Sequence, residues 1–185
     1  MDIFRYGTLR SAPWRNGGGS TREVTALPAG AADFDWRISI ADVTAAGQFS
    51  SFPGVERILT VIDGELLVVT VDGAEHAMEK YRPFRFSGDS VTTGALPAGN
   101  AVALSVMAKR GKYTAYLAIV ELSRKRGHPL FGDQFALLLK GNAVVTADGA
   151  SVELGALDTV RGADSAPEVL GRGFLAVITL EAVSA

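Results

Sequence analysis

Apolar and polar residues alternate along much of this chain. In the stretch DFDWRISIA, Phe34, Trp36, Ile38 and Ile40 fall on one face and Asp35, Arg37, Ser39 and Ala41 on the other. A period of two predicts a half-buried strand. The runs ERILTVIDG, ELLVVTVDG, ALSVM, AYLAIVEL and FLAVITLEA predict further strands. Gly132 to Leu139 suits a short helical turn equally well. Glycine occurs 21 times, mostly in Asp-Gly, Pro-Gly or Ala-Gly steps, so it punctuates the runs as turns. Frequent short strands with few convincing helices predict an all-β sandwich or barrel.

A repeat sharpens that expectation. Val68 to Ala74 reads VVTVDGA, and Val144 to Ala150 reads VVTADGA. A glycine precedes each, Gly64 and Gly141, and a polar step follows each, Gly88-Asp89-Ser90 and Ala163-Asp164-Ser165. The apolar strands Ala101 to Met107 and Phe174 to Leu180 close the two copies. A glycine-opened strand, a hairpin, a polar turn and a closing strand suit a small jelly roll. The fold expected is therefore all-β, with duplicated cupin-like jelly-roll barrels (a bicupin) in one compact chain. The expected division is an N-terminal barrel over 1–110 and a C-terminal barrel over 111–185.

Composition narrows the function classes. A net charge of −2 proposes no nucleic-acid partner and no membrane surface. The one basic run, Arg124-Lys125-Arg126, reads as a solvated loop. With no cysteine there are no disulfides, thiolate metal sites or cysteine nucleophiles. The N-terminus lacks the pattern of a signal peptide, and no apolar run is long enough to cross a bilayer, so a cytoplasmic protein is expected.

Metal and nucleophile chemistry are poorly supplied. The chain has two histidines, His76 and His128, in opposite halves, and no spacing gathers carboxylates around either. First-row metals need imidazole and carboxylate clusters, so both histidines read as surface residues and no metal or other cofactor is expected. No Gly-x-Ser-x-Gly elbow appears. PWRNGGGST, Pro13 to Thr21, lacks the lysine of a phosphate loop and runs on into a strand. A flexible turn, or close backbone approach to a ligand, remains for it.

Arg37 and Ser39 share one side of their strand, and Arg57 begins a later strand after Phe49-Ser50-Ser51-Phe52. Arginine beside hydroxyls suits a carboxylate. The same residues also admit a plain structural reading. Arg37 then faces solvent, Arg57 pairs with an acid such as Asp42, and Phe49 and Phe52 plug a barrel mouth.

Three stretches together carry a family resemblance. Pro13 to Gly19, Trp36 to Ala41 and Gly47 to Arg57 follow the order Pro-Trp-Lys/Arg-Asn-Gly-Gly-Gly, then Trp-Arg-x-Ser-x-Ala, then Gly-Pro-Phe-Ser-x-Phe-Pro-Gly followed by an acidic residue and Arg. With Phe86 to Asp89 and Met107 to Gly111, the chain resembles the HutD/Ves family over about its first 110 residues. Gln48 departs from the usual proline, and Ala103 and Ser105 replace an Asp-x-Asn pattern. The resemblance implies a bicupin without the usual metal ligands, linked to histidine utilisation. It tips the reading towards a pocket formed by Trp14, Asn16, Gly17, Gly18, Gly19, Thr21, Arg37, Ser39, Phe49, Ser50, Phe52 and Arg57. The expected partner is a small anionic or imidazole-bearing metabolite, such as urocanate, formiminoglutamate or formylglutamate. A non-catalytic binding or regulatory protein is favoured. The alternatives are a metal-independent isomerase or hydrolase and an interaction protein with a vestigial pocket. Exposed sheet edges would also allow a homodimer, although no residue argues for one. Elemental analysis of the purified protein should find no stoichiometric transition metal; one bound per chain would overturn the reading of the histidines.

Overall fold

The computed structural model describes residues 1–184. In chain order the strands begin with β1 (Ile3–Phe4), β2 (Ser11–Pro13), β3 (Gly19–Leu27), β4 (Trp36–Val43), β5 (Gly47–Gln48) and β6 (Val55–Asp63). Next come β7 (Leu66–Val71), β8 (Ala74–Glu79), β9 (Phe84–Ser87), β10 (Thr92–Ala95) and β11 (Ala101–Lys109). The series ends with β12 (Tyr113–Glu121), β13 (His128–Pro129), β14 (Gln134–Ala147), β15 (Ala150–Leu154), β16 (Thr159–Arg161) and β17 (Glu168–Ala182). Among the described residues the only helical element is a 3-10 turn, Tyr6–Thr8, so the chain is all-β. None of its helices is long and apolar enough to cross a membrane.

Gly132 to Leu139 does not form a helical turn; from Gln134 it is the start of β14. Phe135, Ala136, Leu137, Leu138 and Leu139 are all buried, which removes the alternation that marks a strand with one wet face. The Asp-Gly turns fall as expected. Asp72-Gly73 joins β7 to β8 and Asp148-Gly149 joins β14 to β15, each with positive φ at both residues. That is the conformation a two-residue hairpin favours. Strand pairing gives three open sheets among the described residues, and none closes into a barrel.

The chain divides into two compact units. Arg10–Ala115, with residues 182–184, holds a six-stranded sheet ordered β2-β3-β4-β11-β6-β9 and a four-stranded sheet ordered β5-β10-β7-β8. Val43, Leu59, Val61 and Ala103 of the first sheet meet Leu67, Val69 and Met78 of the second in one core. Apolar area removed from water between the two layers holds them together.

The other unit combines Met1–Leu9 with Tyr116–Glu181. Its sheet runs β1-β16-β14-β17-β12, with β13 beside β17 and β15 beside β14. Leu130, Leu138, Val145 and Leu175 form its fully buried centre. Buried Asp158 fastens the start of the chain to this unit. It accepts hydrogen bonds from Arg5 Nη1 at 2.6 Å, the Tyr6 N–H at 2.9 Å and the Gly155 N–H at 2.9 Å. Burial alone raises its carboxyl pKa, but these donors outweigh burial and hold it below the usual carboxylate value.

A carboxyl lowered in the folded state contributes stability above its unfolded pKa and loses it as pH falls through the folded value. Asp158→Asn should therefore destabilise the protein by about 2 kcal/mol at neutral pH. The difference from wild type should shrink as pH falls below 3.8, which urea unfolding at a series of pH values will measure.

Candidate functional site

The register of the six-stranded sheet brings the candidate residues into rows. β11 lies between β4 and β6, so Met107 sits opposite both Arg37 and Arg57. Two residues along, Ser105 sits opposite both Ser39 and Leu59. Ala103 pairs with Ala41, and on β3 Thr21 and Glu23 pair with Ala41 and Ser39. Side chains two apart on a strand share a face, so these rows floor one side of the sheet. The floor opens into a cavity of about 770 Å³. The opposite face of β4 carries Trp36, Ile38 and Ile40, all buried. β4 is thus covered on both faces rather than half-buried; Ser39 is 2% exposed, because its polar face is a cavity floor rather than an outer surface.

Segment 48–52 and the loop 14–16 complete the walls. Phe49 meets Trp14 edge-on, with ring centroids 6.2 Å apart. Trp14 Nε1 donates to Thr21 Oγ1 at 2.8 Å, which ties the loop to β3. Asn16 Nδ2 donates to the Gln48 carbonyl at 3.3 Å, and Asn16 Oδ1 accepts from the Gly18 N–H at 3.0 Å. Nine of the twelve candidates therefore line the cavity: Trp14, Asn16, Thr21, Arg37, Ser39, Phe49, Ser50, Phe52 and Arg57. Gly17, Gly18 and Gly19 do not; they shape the turn behind it. Gly17 has φ +71°, and a Cβ on Gly19 would collide with the Asp42 carbonyl and lie 3.1 Å from the Trp14 ring.

Among the described residues the two inner arginines have no carboxylate in contact. Arg57 is 6% exposed and donates from Nη1 to the Ser50 carbonyl at 3.1 Å. Its guanidinium carbon lies 5.0 Å from the Phe86 centroid and 5.2 Å from that of Phe52. Arg37 sits 4.6 Å from the Phe34 centroid and 5.2 Å from that same Phe52 ring, and reaches Met107 Sδ at 3.6 Å. These are cation–π distances. Burial pushes the Arg57 pKa down to about 10, assisted by the positive charge of Arg37. Burial also lowers Arg37, and the Glu23 carboxylate works against that shift. The Nε atoms of both arginines and Ser105 Oγ are buried without a hydrogen-bond partner. Asp42 pairs with Arg22, not with Arg57.

Arg10, Arg15, Glu23, Ser51 and Met107 also line the cavity and did not emerge from the sequence reading. So do the three departures from the family pattern, Gln48, Ala103 and Ser105. Among the described residues no three His, Asp or Glu side chains converge, and the cavity holds no histidine and one carboxylate. That donor set does not fit a first-row metal. Both histidines are partly buried rather than on the open surface: His76 stacks 4.4 Å from the Phe84 ring, and His128 lies in β13, where burial lowers its pKa.

The sequence pattern of the HutD family matches residues 6–177. The chain belongs to the HutD family. The match runs well past the first 110 residues that carry the motifs. Protein Ves from Citrobacter koseri is 36% identical over 154 residues, covering 78% of this chain and 80% of that protein. HutD from Pseudomonas fluorescens SBW25, solved in a formate condition, superposes with a TM-score of 0.84 at 30% identity over 99% of both chains. A cupin 2 conserved barrel domain protein from Leptotrichia buccalis has a TM-score of 0.62 at 9% identity, covering 97% of this chain and 96% of that one, a likeness of fold alone.

A buried cation without an ionic partner costs stability, and a matched apolar side chain removes that cost. In this HutD-family protein Arg57→Met should raise the stability of the ligand-free form by about 1–2 kcal/mol, because a thioether packs well among phenylalanines. Differential scanning calorimetry checks this. Destabilisation instead would make Arg57 a structural support of the sheet.

Proposed function

We propose that the protein binds a small anionic metabolite in the cavity of the Arg10–Ala115 unit, and that it thereby tunes histidine utilisation without catalysing a reaction. The observation that carries this reading is the charge of the lining, four arginines against one glutamate. Two of the four, Arg37 and Arg57, are held beside each other with unpaired Nε donors. A carboxylate placed between them would satisfy those donors and relieve their repulsion. Aromatic walls and few placed polar groups are usual for a small-molecule site.

Family membership supports the choice of metabolites to test: urocanate, formiminoglutamate and formylglutamate. The hairpins at Asp72-Gly73 and Asp148-Gly149 further support reading the chain as a duplicated cupin-like fold, with the ligand in the first copy.

At a hundredfold excess over Kd, a ligand specific to the folded state adds about 2.7 kcal/mol, which corresponds to a rise of roughly 5–10 °C in Tm. One of the three metabolites should give such a shift, remain unconsumed by chromatography, and lose its effect in a folded Arg37→Ala variant. A shift that survives in the variant would sink this site. Consumption of the compound would turn the binder into an enzyme.

A further inference from the structure

Glu23 is the one acidic side chain in the cavity lining. It stands on β3 directly opposite Ser39, on the same face as the arginines. Several other acids carried by the strands and turns of this unit are engaged, while Glu65 and Glu75, also without a partner among the described residues, are exposed and outside the cavity lining. Asp42 holds Arg22, Asp33 holds Lys109, Asp35 holds Lys112, and Glu56 and Asp89 both hold Arg110. Glu23 makes no ion pair and no hydrogen bond among the described residues; its influence on Arg37 is a field effect without contact. A site built for a plain anion gains nothing from such a residue, because its charge repels the ligand that the arginines attract. Facing the same space, Arg37 and Arg57 at one end and the Glu23 carboxylate at the other form a dipole, with Arg10, next to the Ser11 that pairs with Arg22, on the Glu23 side.

Resting on the anion-binding reading above, we infer that the ligand is bipolar: a carboxylate that lies between Arg37 and Arg57 and carries a cationic, N–H-bearing group at its far end, received by Glu23. The sheet fixes the spacing. Ser39 is two residues from Arg37, about 6.7 Å along the strand, and Glu23 lies one strand further out, about 4.8 Å. The diagonal from Arg37 to Glu23 is about 8 Å at the level of the backbone, and from Met107, midway between the arginines, it is about 12 Å. The arginine and glutamate side chains reach inward from both ends, and a chain of about five methylenes between carboxylate and nitrogen bridges what they leave. Ser39 and the unpaired Ser105 hydroxyl lie between the two ends, where they can hydrogen-bond the middle of such a molecule.

The probes are 6-aminohexanoate and hexanoate, which share length and carboxylate and differ in the ammonium group. Calorimetric titration of the wild-type protein should show about a tenfold preference for 6-aminohexanoate. In Glu23→Gln the preference should vanish, with hexanoate bound at least as tightly as by wild type because a repulsive charge is gone. Glu23→Asp, which keeps the charge, should retain part of the preference. Equal wild-type affinities overturn the bipolar ligand and leave the anion site standing. A preference that persists in Glu23→Gln, or an equal loss of both probes in that variant, overturns the role of Glu23. Failure of both probes to bind wild type overturns the bipolar ligand and counts against the anion site as well. The wild-type comparison decides the matter even if the variants fold poorly.

Discussion

Two guanidinium groups share one row of a sheet without a carboxylate between them, and the rest of the site is arranged around that fact. Arg37 and Arg57 flank Met107 because β11 is hydrogen-bonded to both β4 and β6. Like charges so placed need compensation. Here it comes from the faces of Phe34, Phe52 and Phe86 and from one backbone carbonyl, at Ser50. Phe52 serves both arginines, so the segment that carries it must be fixed. The Phe52 N–H donates to the Gly88 carbonyl at 2.8 Å and the Phe49 N–H to the Thr92 carbonyl at 2.9 Å, which pins both ends of the Phe-Ser-Ser-Phe segment.

The triple glycine belongs to the same arrangement at one remove. Its carbonyls and amides tie the loop down: Gly18 O accepts from the Thr44 N–H, and the Trp14 N–H donates to Gly19 O. Trp14 can pack this closely against Gly19 only because no Cβ intervenes. From there its ring meets Phe49 and its indole N–H holds Thr21. The glycines act as the mount for a wall residue, while tryptophan and asparagine present the polar and aromatic surface.

Much of this was legible from the sequence. Alternation located β4, and the Asp-Gly steps located two hairpins, because both signals are local and depend on backbone geometry alone. Arg37 and Ser39 were found together because they lie two apart on a regular strand. Glu23 was not. The register between β3 and β4 shifts between Glu23 and Thr25, so the phase of alternation changes there, and counting back from buried Ala26 puts Glu23 on the wrong face. Arg10 and Arg15 escaped because loop residues carry no periodicity. The covering of the polar face of β4 was also hidden: a polar residue facing a cavity and one facing bulk water look alike in a sequence. The buried run of β14 was ambiguous for the opposite reason, since a strand apolar on both faces has no period to read.

The pairing of β1 with β16 carries a consequence for biosynthesis. Ile3 is made well over a hundred residues before its partner, Val160. All of Arg10–Ala115 can emerge and close its two sheets before that partner exists. At ribosomal speeds the first strand waits on the order of ten seconds or more, exposed, as a solitary edge. A chaperone that meets nascent chains would encounter that segment throughout, and its docking belongs to the last step of assembly rather than to the first.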